Sequence, residues 1–307
     1  MTESSRHPIL IVGSVAFDSV ETPSGSVERA LGGSASYASI AASYFARPQV
    51  VGVVGEDFGD SHLSRLADHG VDVAGIDRVA GQTFHWKGRY HENFKERDSL
   101  ETSLGVFETF DPTIPDDYRA SRYVFLGNIA PELQLKVLNQ TPDAELVALD
   151  TMNFWIDTAR EALLKVLQRV DLLFINDEEA FMLANEWTVL GAAEKILRMG
   201  PKYLVIKRGE YGAVLFGPDV TLFVPAVLLS QVVDPTGAGD TFAGGFLGTL
   251  LSHPEMNRSS LGASLIGATV MASFSVESFS VDGIYHLERA AIDERRATLE
   301  RMIQLVS

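Results

Sequence analysis

The residues best placed to do chemistry lie in the string DPTGAGDTFAGG, from Asp234 to Gly245. Its glycines allow a sharp turn and a close approach of backbone N–H groups to a ligand. The small apolar residues behind them read as a helix whose N-terminus favours anions. Together these features outline a phosphate site. In an isolated GAGD, Asp240 would serve equally well as an N-cap. Within the full string a carboxylate beside a phosphoryl group is electrostatically awkward, and it makes most sense as a base that takes a hydroxyl proton during attack on phosphorus.

The elements that must position this turn show as hydrophobic patterns. Short apolar runs suited to buried parallel strands recur as ILIVG near Ile9, VVGVVG near Val50, YVFLG near Tyr123, LVALD near Leu146, LLFIN near Leu172 and YLVIK near Tyr203. Helical patterns lie between them: Ser34 to Phe45, Asp60 to His69, Thr158 to Gln168, Glu178 to Asn185 and Thr188 to Met199. Two more follow, Asp240 to Leu251 after the glycine turn and Glu288 to Val306 at the end. This alternation predicts α/β architecture, built of βαβ units with both sheet faces covered. Two stretches break the rhythm: about residues 18–31, a hairpin around TPSG, and about residues 82–107, which alternate with period two. In the second, Phe84, Trp86 and Tyr90 share one face, while Thr83, His85, Lys87, Arg89 and His91 share the other. Such strands predict a small separate sheet, either a lid over a pocket at the strand C-termini or an ordinary surface sheet with one packed and one wet face.

The 307 residues are 46% hydrophobic, enough to bury a large core, and are read as one domain over 1–307. With 41 acidic and 25 basic residues, the formal charge of -16 would repel nucleic acid and anionic membrane surfaces. A mononucleotide stays compatible, because a local anion hole and a bound divalent metal outweigh a diffuse negative surface. The lack of cysteine excludes disulfides, thiolate zinc sites and cysteine nucleophiles, and fits a cytoplasmic protein. The start MTESSRHPILIVG lacks the features of a signal peptide, and Leu261 to Val276 is too short and too serine-rich for a membrane span. No GxxxxGK[ST], HRD, GxSxG or HExxH string occurs, and the one DFG, Asp57 to Gly59, stands without the HRD that a protein kinase pairs with it, so phosphoryl transfer here would need a different apparatus.

The string from Asp234 resembles the C-terminal signature of the ribokinase-like (PfkB) carbohydrate and nucleoside kinases, DTxGAGD followed by a small-residue helix, with Pro235 at a variable place. Gly32 and Gly33, opening a small-residue helix through Phe45, resemble the family's N-terminal signature, so the likeness spans most of the chain. The resemblance implies a three-layer α/β/α sandwich with a mostly parallel central sheet and a small β lid. It also implies ATP as donor, Asp240 as catalytic base, and Gly237, Ala238 and Gly239 as the anion hole. In members that need K+, the cation lies near the positions of Asp234 and Thr236. Asp18, after the first strand, matches the carboxylate that holds acceptor hydroxyls, with Gly33 beside it. Asn176 and Glu179 match an NxxE element that organises Mg2+ through its waters; on their own they read as an acidic sequence capping a helix. The loop KRGEYG resembles a nucleotide loop in which Gly209 and Gly212 admit phosphates or ribose and Lys207 supplies positive charge. Residues 275–283 are expected to border the adenine.

Two departures bear on the acceptor. Tyr37 stands where ribokinase-type sugar kinases carry Asn, offering a ring for stacking, and DTMNFW lacks the Arg that often follows the position of Asn153. Asn128 and Asn153 follow predicted strands, where acceptor contacts are expected, or else satisfy loop backbone. The sequence therefore predicts an ATP-dependent phosphotransferase acting on an alcohol group of a small sugar or polyol, with ATP and Mg2+ required and K+ as a further candidate. One alternative is a nucleoside kinase, since Tyr37 and the aromatic lid face would suit a flat acceptor. The same face would equally serve a homodimer through the lid. The other alternative is a non-catalytic nucleotide or sugar sensor, against which the intact Asp240 argues.

Overall fold

The computed structural model describes residues 7–94 and 96–304. In chain order its strands are β1 (Pro8–Val12), β2 (Ala16–Thr22), β3 (Gly25–Gly32), β4 (Arg47–Val54), β5 (Asp72–Arg78), β6 (His85–Tyr90) and β7 (Arg97–Ser103). They continue with β8 (Tyr123–Leu126), β9 (Leu146–Asp150), β10 (Leu172–Asn176), β11 (Tyr203–Lys207), β12 (Ala213–Gly217) and β13 (Val220–Val224). Nine of them form one sheet in the order β13-β12-β11-β10-β9-β8-β1-β4-β5. From β11 to β5 every pairing is parallel, and only β12 and β13 run antiparallel at one edge.

Alternation along each parallel strand feeds two separate cores. Ile9, Ile11, Phe125, Ala148, Phe174 and Val205 pack with the helices Ser34–Ser43, Ala238–Leu251 and Arg258–Ser275. Leu10, Val12, Leu126, Leu149, Ile175 and Ile206 pack on the other face with Pro131–Gln140, Arg160–Leu167, Asp177–Ala184 and Val189–Leu197. Because both faces are covered, these strands read as continuous apolar runs. The result is the predicted three-layer α/β/α sandwich, with Asp150, Asn176 and Lys207 at the C-terminal ends of adjacent strands. In open α/β sheets that edge is where ligands bind.

The second sheet has the order β3-β2-β6-β7, with β2 and β6 parallel and the outer pairs antiparallel. Its outer face is polar: Glu21 pairs with Arg89 at 2.7 Å and Lys87 at 3.6 Å, and Ser19 with His85 at 2.9 Å. Its hairpin tip is tied to the approach to the glycine turn, where Thr22 Oγ1 donates to the Val233 carbonyl at 2.8 Å and Ser24 Oγ to that of Val232 at 3.0 Å.

Several elements depart from the sequence pattern. β5 (DVAGIDR) is an edge strand too charged to read as apolar, and β12 and β13 form an antiparallel hairpin whose alternation is interrupted at Asp219, φ 56. The helix expected over Thr158 to Gln168 starts at Arg160, and Ala159, φ −131, separates it from the helix Asn153–Thr158. The helix after the glycine turn begins at Ala238 rather than Asp240, because Gly237 takes up the N-cap position with φ 72.

Candidate active site

Asp240 is the third residue of its helix and is not the N-cap. The turn before it is held by Asp234, 1% exposed, whose carboxylate accepts the Thr236 N–H at 2.8 Å and the Ser280 N–H at 3.4 Å. Gly237 is obligatory: its φ of 72 suits glycine, and a Cβ there would overlap the Tyr37 ring. No side chain caps this helix, and the Gly239 N–H has no acceptor among the described residues. Lys207 Nζ lies 3.0 Å from where a Cβ on Gly239 would stand. A free amide, a helix N-terminus and an ammonium group thus converge on one small space, the donor set an anion requires.

The floor of this space is charged. Lys207 Nζ pairs with Asp150 Oδ2 at 2.8 Å, with side-chain exposures of 15% and 7%. Burial works to lower the Lys207 pKa, but Asp150, Glu179 and Asp240 together hold it above its ordinary value. Burial, reinforced by the charge of Asp150 and opposed by Lys207, pushes the Asp240 carboxyl up to about 7. Glu179 is raised to about 7, again chiefly by burial and against the pull of Lys207. Asn176 and Glu179 do form a capping box: Asn176 Oδ1 accepts the Glu179 N–H at 2.8 Å, and Glu179 Oε2 accepts the Asn176 N–H at 3.0 Å. The other Glu179 oxygen has no hydrogen-bond partner among the described residues. Glu179 and Asp150 offer oxygen donors only, and no group of three or more metal-ligating side chains occurs among the described residues. That fits Mg2+, which keeps several waters and binds through one or two carboxylates and substrate phosphates.

The small sheet supplies the carboxylate that the sequence offers for an acceptor. Asp18 in β2 is 6% exposed and accepts the Gly33 N–H, and it occupies space that a Cβ on Gly32 would fill. Burial, then Asp234, raises its pKa to about 7, while the Gly33 N–H and Arg97 work against the rise. Asp18 is the register partner of Trp86, and the Tyr90 hydroxyl accepts from Thr236 Oγ1 at 3.3 Å. The small sheet therefore turns one face toward the glycine turn.

Some predicted residues serve otherwise. Tyr37 offers no stacking surface: it is 1% exposed, its ring supports Gly237, and its hydroxyl has no hydrogen-bond partner among the described residues. Burial and the charges of Asp18, Asp234 and Asp240 raise its pKa well above normal, which keeps it a neutral phenol. Gly212 is required by packing, since a Cβ would overlap the Val224 carbonyl, whereas the surroundings of Gly209, φ 52, are open. Asn128 is engaged within the protein, accepting from Trp155 Nε1 at 2.9 Å with its amide 3.1 Å from Met152 Sδ. Asn153 is exposed and accepts the adjacent Phe154 N–H at 2.9 Å. Phe84 stacks on Phe107, 5.4 Å between centroids, rather than joining Trp86 and Tyr90. Two charged residues went unremarked in the sequence, Asp150 and Arg97. The signal for Asp150 was an acid ending a buried strand; Arg97 had none, because its neighbours come from other strands.

The chain belongs to the pfkB family of carbohydrate kinases, whose model matches residues 6–284. It is 32% identical over 246 residues to a cytidine kinase of Thermococcus kodakarensis, covering 78% of this chain and 87% of that protein. Its fold superposes on the adenosine kinase of Sinorhizobium meliloti with a TM-score of 0.80 at 22% identity, over 95% of this chain and 99% of that one. A putative ribokinase II from E. coli, in complex with ATP and Mg2+, gives 0.78 at 18% identity, over 96% and 99%. The protein is accordingly an ATP-dependent small-molecule kinase acting on a sugar or nucleoside. Near-equal agreement with a nucleoside kinase and a ribokinase means that the fold leaves the acceptor open.

Proposed function

We propose that this kinase phosphorylates a nucleoside, moving the γ-phosphoryl group of ATP to a primary alcohol with Asp240 as general base. The acceptor reading is carried by Trp86, a half-buried ring opposite Asp18 on the sheet face that Tyr90 ties to the glycine turn, in a chain 32% identical to a cytidine kinase. A flat ring beside the acceptor carboxylate suits a base more than a polyol.

In this reading Asp18, oriented by the Gly33 N–H, holds acceptor hydroxyls. Asp240 takes the proton of the attacking hydroxyl, and a base near pH 7 is well matched to that task. The phosphoryl oxygens are met by the backbone of Gly237 and Gly239 and by Lys207, which are in place before reaction, whereas the Ala238 N–H donates to the Pro235 carbonyl at 3.2 Å and would have to leave it to complete the anion hole. Asn176 orients Glu179, whose free oxygen and Asp150 would hold Mg2+ or its waters. When bound, Mg2+ supplies positive charge that neutralises the phosphates. Gly209 leaves the loop after β11 open to the nucleotide. A K+ site at Asp234 and Thr236 has weaker support, since both Asp234 oxygens already accept backbone N–H groups. A homodimer through the small sheet would use the edge of β7, all seven of whose residues are exposed. ATP as donor and a chain without cysteine suit the cytoplasm.

The test is ATP consumption with Mg2+, with and without K+, across nucleosides, sugars and polyols, with Asp240→Asn beside every hit. Turnover of a nucleoside that the substitution abolishes is the expected result. Turnover of sugars alone would sink the acceptor assignment, and ATP binding with no turnover would favour a sensor.

A further inference from the structure

The small sheet carries a cation that the mechanism above leaves unused. Arg97 in β7 is the register partner of Tyr90 in β6, and residues directly opposite in a sheet project from the same face. Tyr90 bonds to Thr236 of the phosphate turn, so that face looks into the cleft. The Arg97 guanidinium lies over Trp86, 5.4 Å from the ring centroid, and Trp86 is the register partner of Asp18. Its charge reaches both Asp18 and Glu179, holding down the pKa of each. Register and ring contact thus put Arg97 on the cleft face of the small sheet, beside Trp86 and opposite Tyr90. Lys207 is neutralised by Asp150, whereas Arg97 is exposed and makes no ion pair among the described residues.

We propose that Arg97 is a further catalytic residue whose guanidinium rests on Trp86 and moves onto the transferring phosphoryl group when the acceptor's flat ring takes its place on the indole. This rests on the nucleoside reading. A cation on a partly exposed indole is held weakly enough for a stacking ring to displace it. Pairing with phosphoryl oxygens is stronger and directional, because the planar guanidinium presents two parallel donors. As the acceptor oxygen bonds to the γ-phosphorus, the bond from phosphorus to the ADP oxygen breaks and the hydroxyl proton passes to Asp240. The charge spread over the three remaining oxygens is then shared by Lys207 and Arg97. Without an acceptor, Arg97 stays on Trp86 and transfer to water lacks that stabilisation, which protects ATP from hydrolysis.

The test compares Arg97→Ala, Arg97→Lys, Trp86→Ala and the Arg97→Ala/Trp86→Ala pair with the wild type, measuring transfer to nucleoside, ATP affinity and acceptor-independent ATP hydrolysis. Arg97→Ala should lose about 10²-fold or more in kcat with ATP affinity retained. Arg97→Lys should lie between, and added guanidinium ion should restore part of the Arg97→Ala rate. Trp86→Ala should raise hydrolysis relative to transfer by about tenfold, because the guanidinium is no longer held back, and the double variant should return it to baseline. An unchanged kcat in Arg97→Ala overturns the proposal. So does a raised acceptor KM at unchanged kcat, which would make Arg97 a reader of the acceptor, or hydrolysis in Trp86→Ala equal to wild type. If the wild type phosphorylates sugars but no nucleoside, the nucleoside reading fails and the Trp86 step falls with it. A kcat loss in Arg97→Ala on the sugar would still support the catalytic role, and an unchanged kcat there would overturn it.

Discussion

Replacing Lys207 with Met removes a buried cation without removing its volume, and the consequence follows from its surroundings. Lys207 and Asp150 are 2.8 Å apart with side-chain exposures of 15% and 7%, and Glu179 and Asp240 also act on the ammonium. Breaking a buried pair from one side leaves an uncompensated charge and costs about 3–5 kcal/mol. In a chain of this size roughly 2 °C of Tm is lost per kcal/mol, so the expected fall is about 6–10 °C. The orphaned acids relieve themselves by taking up protons, which raises their folded pKa values above the unfolded ones near 4. A folded state that binds more protons than the unfolded one loses stability as pH rises. The deficit should therefore be small near about pH 4 and grow toward about pH 8. Adding Asp150→Asn to Lys207→Met removes the worst-placed charge and should recover most of the stability while activity stays low. Thermal unfolding at several pH values, beside the kinase assay, reads all of this. A variant as stable as wild type, or a deficit insensitive both to pH and to Asp150→Asn, would refute the reasoning.

Asp240→Asn should abolish at least about 10²-fold of turnover yet stabilise the free protein at alkaline pH. The folded pKa is raised to about 7 from 3.8, so ionising Asp240 costs stability as pH rises from the lower value to the higher. The gain in Tm over wild type should be present above pH 7 and vanish below about pH 4, and a gain confined to acid would contradict the assignment. The same raised pKa predicts that wild-type kcat/KM climbs through about pH 7 rather than near the ordinary carboxylate value, which a pH–rate profile checks. Asp18→Ala should raise the acceptor KM while the ATP dissociation constant stays nearly unchanged; the reverse pattern in a titration would exchange the two sites. Gly239→Ala should preserve or slightly raise stability, since alanine is favoured over glycine in a helix by up to about 1 kcal/mol. The same methyl group stands 3.0 Å from Lys207 Nζ and should impair phosphoryl transfer, so full activity in this variant would argue against the anion site.

The large sheet was legible because burial on both faces leaves an unbroken apolar run, and six such runs became its adjacent parallel strands. The edges were not, because β5 carries three charged residues and β13 alternates exposed and buried positions, as edge strands do. The glycine turn was legible because Gly237 must take a left-handed φ and a Cβ on Gly239 would stand 3.0 Å from Lys207 Nζ. The use made of Tyr37 was not: nothing in its neighbours along the chain says whether a tyrosine lines a pocket or supports a turn two hundred residues away. The same limit applied to Gly212, whose need is set by the Val224 carbonyl.

What the sequence determined by itself was local. It set which segments could be buried strands, where a backbone must turn, and that a carboxylate follows a glycine turn suited to an anion, since each depends on residues within a few positions of one another. The tertiary structure alone decided the electrostatics. Asp150 and Lys207 end two strands, Glu179 and Asp240 lie in the first turns of two helices, and the pKa values of Glu179, Lys207 and Asp240 depend on burial and distance. It alone also brought Arg97 and Trp86 to the cleft face beside Asp18, through strand register, which no single strand encodes.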